Sequence, residues 1–140
     1  MSKAPKLRPD LPVWYDPLSP MGAAVRYVAG LSPLFNWVGI YVLKGDILEL
    51  GPFIGADTPH KKIRVGQGVC GTAVATGADQ NVADVELVVL IHDRSGKILG
   101  QIDIDSHTLN AFSPELEEAV RQVANDLGEL WPAQEKSRRR

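Results

Sequence analysis

Apolar runs and short turn sequences alternate through the middle of the chain and predict paired β-strands. Residues 37–43 and 47–53 are apolar runs joined by Lys44, Gly45 and Asp46, a pattern typical of a β-hairpin. Residues 87–91 and 97–105 repeat the pattern across a second turn at 93–96. Shorter strands are expected at 61–65 and 81–85. Because hairpins join neighbouring strands, the sheet should be antiparallel.

Three segments have the spacing and the end signals of helices. Ser19 before Pro20 is a helix cap followed by a first-turn proline, and an amphipathic stretch continues to Leu31. A glycine-bearing turn at 65–71 leads into a short helix that Gly77 should end. The third helix starts at Ser113 and carries an apolar stripe at spacings of three and four: Leu116, Val120, Val123, Leu127 and Leu130.

The order of these elements predicts an α+β fold. We expect a central antiparallel sheet of five or six strands, with the first and last helices packed on one face. Prolines concentrated in residues 1–19 predict an extended N-terminal arm, and Trp14 and Tyr15 suggest that the arm contacts the body. The domain itself should span residues 20–131. Residues 132–140 are expected to form a polar, basic tail.

Composition, charge and cysteine count argue against several classes of function. The 140 residues are 44% hydrophobic and 23% charged, as in soluble globular proteins, and the net charge of −2 gives no reason to expect nucleic acid. No apolar run is long enough to cross a membrane, so a cytoplasmic location is expected. Cys70 is the single cysteine, which excludes an internal disulfide and a multi-thiolate metal site, and the three histidines lack metal-ligand spacing. We expect neither a metal nor a cofactor.

An acidic pair interrupts the last predicted strand. Alternation places Asp103 and Asp105 on one face and Ile102 and Ile104 on the other. Two carboxylates this close repel each other, so water, a cation, a hydrogen-bond donor or a ligand ammonium group must offset the repulsion. A solvated outer face that ends at a turn is the alternative interpretation.

Four motifs occur in order along the chain, at residues 36–41, 50–53, 66–73 and 103–106. Together they resemble the GAF domains that act as free methionine-(R)-sulfoxide reductases, and the resemblance covers roughly residues 20–131. The resemblance implies that Trp37 and Tyr41 line the substrate pocket, with Trp37 against the substrate methyl group. It also implies that Glu86, Asp103 and Asp105 are the pocket carboxylates and that Cys70 is a recycling thiol.

The cysteine that attacks the substrate in that family has no counterpart here. The family carries it on a loop just before the acid matched by Glu86, whereas this chain runs directly from Asp84 through Val85 into Glu86. The loop is either truly deleted, or absent from this sequence and present in the natural protein, or replaced in function by Cys70. The lack of obvious turn residues at this junction favours a missing segment. Takeover by Cys70 is the least favoured explanation, because Cys70 has no second thiol to work with.

Two functions follow from the resemblance. The first is reduction of free methionine sulfoxide, or a similar amino-acid sulfoxide, by cysteine thiol chemistry with a thioredoxin-like reductant. The second is non-catalytic binding or sensing of a small molecule by the same GAF pocket. A homodimer through the terminal helices is neither required nor excluded, and no nucleic-acid or membrane partner is expected.

Overall fold

The computed structural model describes residues 13–14 and 19–139, and the side chains of residues 19–131. The described residues form seven strands and three helices. The strands are β1 (Val13–Trp14), β2 (Trp37–Lys44), β3 (Ile47–Ile54), β4 (Lys62–Arg64), β5 (Gln80–Val82), β6 (Glu86–His92) and β7 (Ile98–Asp105). The helices are α1 (Pro20–Ala29), α2 (Gly68–Thr76) and α3 (Pro114–Arg139).

The strands form one antiparallel sheet. Six of them follow the order β1-β3-β2-β7-β6-β5, and β4 pairs with β3 beside this path. The predicted α+β class and both predicted hairpins are confirmed. The short strand β1, in which Val13 pairs with Ile54, comes from the expected N-terminal arm. The rest of that arm before Ser19, including Tyr15, lies outside the described residues.

The two faces of the sheet have different partners. Helices α1 and α3 cover one face and enclose the larger apolar core, which includes Val38 and Ile40 of β2 and Ile102 and Ile104 of β7. Helix α2 packs on the opposite face, where Cys70 joins a smaller cluster. Strand alternation therefore directs the polar residues of β7 toward α2 rather than toward the main core.

The helix ends follow the predicted signals. Ser19 Oγ accepts a hydrogen bond of 2.9 Å from the Gly22 amide, and Gly77 ends α2 with φ of 68°. Ser113 Oγ accepts from the Leu116 amide at 3.2 Å. Helix α3 continues to Arg139, so the backbone of residues 132–139 is helical where a tail was predicted. None of the helices in the described part of the chain combines the length and hydrophobicity needed to span a membrane.

Candidate functional site

The residues that the sequence motifs singled out converge on one cavity. It measures about 710 Å³ and lies between the sheet, α2 and the loop after β3. All six predicted site residues line it: Trp37, Tyr41, Cys70, Glu86, Asp103 and Asp105. They come from three strands and one helix, so the cavity exists only in the folded chain.

Strand register explains how the carboxylates meet. Trp37 of β2 pairs with Asp105 of β7, and Asp105 pairs on its other side with Glu86 of β6. These three residues therefore form one row across the sheet. Asp103 lies in the next row on the same face, opposite Gly39. Directly opposed residues in an antiparallel sheet have Cβ atoms about 5 Å apart, so these side chains share one small volume.

Trp37 forms the aromatic wall of the cavity. Its ring stacks on Phe53 with centroids 5.4 Å apart, and its Nε1–H donates a hydrogen bond of 3.1 Å to the Ala56 carbonyl. A Cβ atom at Gly39 would overlap the Trp37 ring, so the glycine lets the indole lie over the sheet. Trp37 is half-buried, which suits a wall that packs on one side and faces the cavity on the other.

Tyr41 lies deeper in the same wall. The residue is 2% exposed, and its hydroxyl donates a hydrogen bond of 2.8 Å to the His60 carbonyl. Burial, together with the negative charge of Asp103, raises the pKa of Tyr41 above its ordinary value. The phenol therefore stays protonated and ties β2 to the loop before β4.

The acidic pair is not a solvated outer face. Asp103 is only 4% exposed, and Asp105 is half-buried. Burial, reinforced by the Asp105 and Glu86 carboxylates, raises the pKa of Asp103 well above its usual range. Burial and then Glu86 raise the pKa of Asp105 to about 7. Near neutral pH the site can therefore hold a proton on a carboxyl group that faces the cavity.

Cys70 lies in the first turn of α2 at the cavity wall and is 5% exposed. Its carbonyl accepts a hydrogen bond of 2.9 Å from Gln101 Nε2, which joins α2 to β7. Burial, followed by the charges of Asp103 and Glu86, raises the pKa of the Cys70 thiol. The thiolate is the nucleophilic form of cysteine, so these surroundings make Cys70 a poor attacking group.

The chain closes tightly where the family loop is missing. Ala83 and Asp84 adopt left-handed conformations with φ of 50° and 56°, and the Val85 amide donates to the Val82 carbonyl at 2.9 Å. Asn81 supports the turn, because its Nδ2 donates to Asp84 Oδ1 at 2.9 Å. The expectation that residues 83–85 lack the means to reverse the chain was wrong. Non-glycine residues in left-handed geometry reverse the chain without a longer segment.

Several cavity residues were not predicted from the sequence. Asp57 and His60 come from the segment between β3 and β4, and Lys62 is the first residue of β4. Asn36 and His107 lie beside the ends of β2 and β7. Asn36 Oδ1 accepts a hydrogen bond of 2.7 Å from the His107 amide. The polar run at 57–60, directly after an apolar strand, was the available signal for the first group.

The chain is similar in sequence to several known proteins. No protein-family model matches the sequence. The chain is 38% identical to the free methionine-R-sulfoxide reductase of Escherichia coli over 66% of this chain and 64% of that protein. It is 35% identical to GAF domain-containing protein A of Dictyostelium discoideum over 68% of this chain and 70% of that protein. The match thus spans just under two thirds of the E. coli enzyme's length.

Solved structures agree in fold. A type II free methionine-R-sulfoxide reductase from Thermoplasma acidophilum superposes with a TM-score of 0.69 at 31% identity, over 76% of this chain and 85% of that chain. The reductase of Staphylococcus aureus in complex with its substrate gives 0.66 at 31% identity, over 77% and 81% of the two chains. The predicted GAF-like fold is confirmed. This chain belongs to the GAF-fold family of free methionine-R-sulfoxide reductases.

Proposed function

We propose that this chain binds free methionine sulfoxide, or a closely related free amino acid, and does not turn it over by itself. The observation that carries the proposal is the convergence of Glu86, Asp103 and Asp105 on one cavity beside Trp37. Among the residues that the structure describes, no cation forms an ion pair with these three carboxylates. A ligand ammonium group would supply the missing charge.

The cavity suits a free amino acid because its two walls differ in chemistry. An ammonium group placed against Glu86 and Asp105 would relieve the repulsion between them and donate hydrogen bonds to both. The face of Trp37 offers an apolar surface for a methyl or methylene group. The S. aureus relative, which was solved in complex with its substrate, supports a small-molecule pocket in this fold.

Turnover needs groups that this chain lacks. Reducing a sulfoxide requires a thiolate to attack sulfur, an acid to protonate the departing oxygen, and a second thiol to resolve the resulting sulfenic acid. Asp105, with a pKa of about 7, suits the acid role. Cys70 is the single cysteine, and its thiol pKa is raised. No second thiol of this chain can form the disulfide that a thioredoxin-like reductant would then reduce.

Calorimetric titration of methionine-(R)-sulfoxide into the metal-free protein tests the binding proposal. We expect one site per chain, and we expect Asp103→Asn combined with Asp105→Asn to weaken binding by roughly 1–3 kcal/mol. Glu118→Gln is the matched control, because Glu118 is an exposed acid on α3 away from the cavity. Equal affinity in the double variant, with both proteins folded, would show that the carboxylates serve the fold and not a ligand.

The second candidate is the full reductase, and one observation favours it. The Ala83–Asp84 turn directly precedes the cavity residue Glu86, so an inserted loop at this position would bring a new thiol beside Asp105 and Cys70. Inserting a flexible loop with one cysteine after Val85 should then give methionine sulfoxide-dependent consumption of reduced thioredoxin. The same loop carrying serine is the control. Equal rates with both loops would contradict this candidate.

A further inference from the structure

Three potential ligand atoms of the cavity lie together. The Cys70 sulfur, a Glu86 carboxylate oxygen and an Asp103 carboxylate oxygen are all within 4.8 Å of one another. They come from α2, β6 and β7, so three independently anchored elements hold them. In a tetrahedral zinc site with bonds of 2.0–2.3 Å, ligand atoms lie about 3.3–3.8 Å apart. Small side-chain rotations would therefore bring these atoms to coordination distance.

Asp103 gives an independent indication that something binds here. The residue is 4% exposed, yet its Oδ1 atom has no hydrogen-bond partner. A buried carboxylate oxygen without a partner is costly, so such atoms generally have a ligand, an ion or water beside them. The oxygen belongs to a residue that lines the cavity and is one of the three clustered groups.

We propose that Cys70, Glu86 and Asp103 bind a divalent zinc ion. The sulfur ligand favours zinc over calcium and magnesium, which prefer six or more oxygen ligands. Three protein ligands leave one tetrahedral position, which water or the neighbouring Asp105 could fill. On binding, the Cys70 sulfur forms its bond to zinc and releases its proton to solvent.

The zinc site does not depend on the proposed amino-acid ligand. An ammonium group would interact with the carboxylates and gain little from the Cys70 sulfur, whereas zinc would bind the sulfur directly. Cys70→Ser, which replaces the thiol with a hydroxyl of similar size, therefore separates the two kinds of ligand. It should weaken zinc binding strongly and change methionine sulfoxide binding little.

The test starts from protein treated with EDTA and dialysed into metal-free buffer. Calorimetry with zinc chloride should show one site per chain. Cobalt(II) should give a thiolate-to-cobalt charge-transfer band and the visible absorption of a tetrahedral site. We expect Cys70→Ser to abolish the charge-transfer band, and Cys70→Ser, Asp103→Asn and Glu86→Gln each to weaken zinc binding by at least about tenfold. Glu118→Gln on α3 is the control and should bind as the unsubstituted protein does.

Circular dichroism of each variant establishes that it is folded before binding is compared. The proposal is overturned if folded, metal-free protein binds no zinc, if binding survives Cys70→Ser, or if cobalt binds without the charge-transfer band. Titrations of methionine sulfoxide in the presence of EDTA test the proposed function separately. A protein that binds the amino acid but not zinc would refute this inference alone, and the reverse result would refute the proposed function alone.

Discussion

Glu86 and Asp105 lie directly opposite each other on the neighbouring antiparallel strands β6 and β7. Opposed like charges destabilise a sheet, and here the buried Asp103 adds a third carboxyl group in the next row. The fold tolerates this arrangement by keeping protons on the site near neutral pH, since the pKa of Asp105 is raised to about 7. Because these carboxyl groups bind protons more tightly in the folded chain than in the unfolded chain, the stability of the metal-free protein should depend on pH.

We expect the metal-free protein to lose stability as pH rises from about 4 to about 7. The pKa values of Asp103 and Asp105 are higher in the folded than in the unfolded chain, so the folded state binds more protons in this range. Each unit of pKa difference corresponds to about 1.4 kcal/mol, so the unfolding free energy should fall by several kcal/mol. The decline should level off only above the raised pKa of Asp105, which is about 7. Urea denaturation in EDTA at a series of pH values measures this change in the unfolding free energy.

Asparagine at both positions is the control for this pH effect. Asp103→Asn combined with Asp105→Asn removes the two titrating groups and keeps their size, so the decline between pH 4 and 7 should shrink. The variant should also be at least as stable as the unsubstituted protein at pH 8. A profile unchanged by the double substitution would place the pH dependence elsewhere in the chain.

Gly39→Ala should damage the binding site more than the fold. The added methyl group would overlap the Trp37 ring and force the indole away from its position over the sheet. We expect methionine sulfoxide affinity to drop at least about tenfold, while far-ultraviolet circular dichroism stays native. Intrinsic tryptophan fluorescence should report the movement of the ring. Gly45→Ala, at an open hairpin turn with φ of 64°, controls for simple loss of stability. Full affinity in Gly39→Ala would contradict the role of Trp37.

The chain should not reduce methionine sulfoxide catalytically with thioredoxin and its reductase. Cys70 stands alone and its thiol pKa is raised, so both attack and resolution are disfavoured. Oxidation of NADPH in the coupled assay should equal that of Cys70→Ser. Steady turnover well above this variant would show that a single thiol suffices and that the recycling role predicted for Cys70 is wrong.

Ala83→Gly should stabilise the protein by about 0.5–1 kcal/mol, because glycine adopts the left-handed φ of 50° without strain. Urea denaturation at fixed pH measures the change. Ala75→Gly is a matched control, since Ala75 is exposed within α2 and the same substitution there should destabilise by about 1 kcal/mol. Destabilisation by Ala83→Gly would mean that the turn is not strained.

Local sequence patterns were enough to predict much of the fold. Apolar runs joined by turn residues within 37–53 and 87–105 predicted both hairpins. End signals such as Ser19, Gly77 and Ser113 predicted where helices begin or end. These features depend on residues close together in the chain. The order of the strands in the sheet was harder to predict from the sequence. Strand β1, for example, joins the sheet by pairing with β3, about 40 residues away in the chain.

The candidate site, too, could be predicted from the sequence only in part. Alternation alone placed Asp103 and Asp105 on one face, but it left open whether that face was solvated. Only the packing of α2 against the sheet buried Asp103 and brought Cys70 beside it. Only strand register set Glu86 opposite Asp105, and only the left-handed geometry of Ala83 and Asp84 closed the chain without a loop. Burial, register and backbone strain depend on residues distant in sequence, so the tertiary structure decided them.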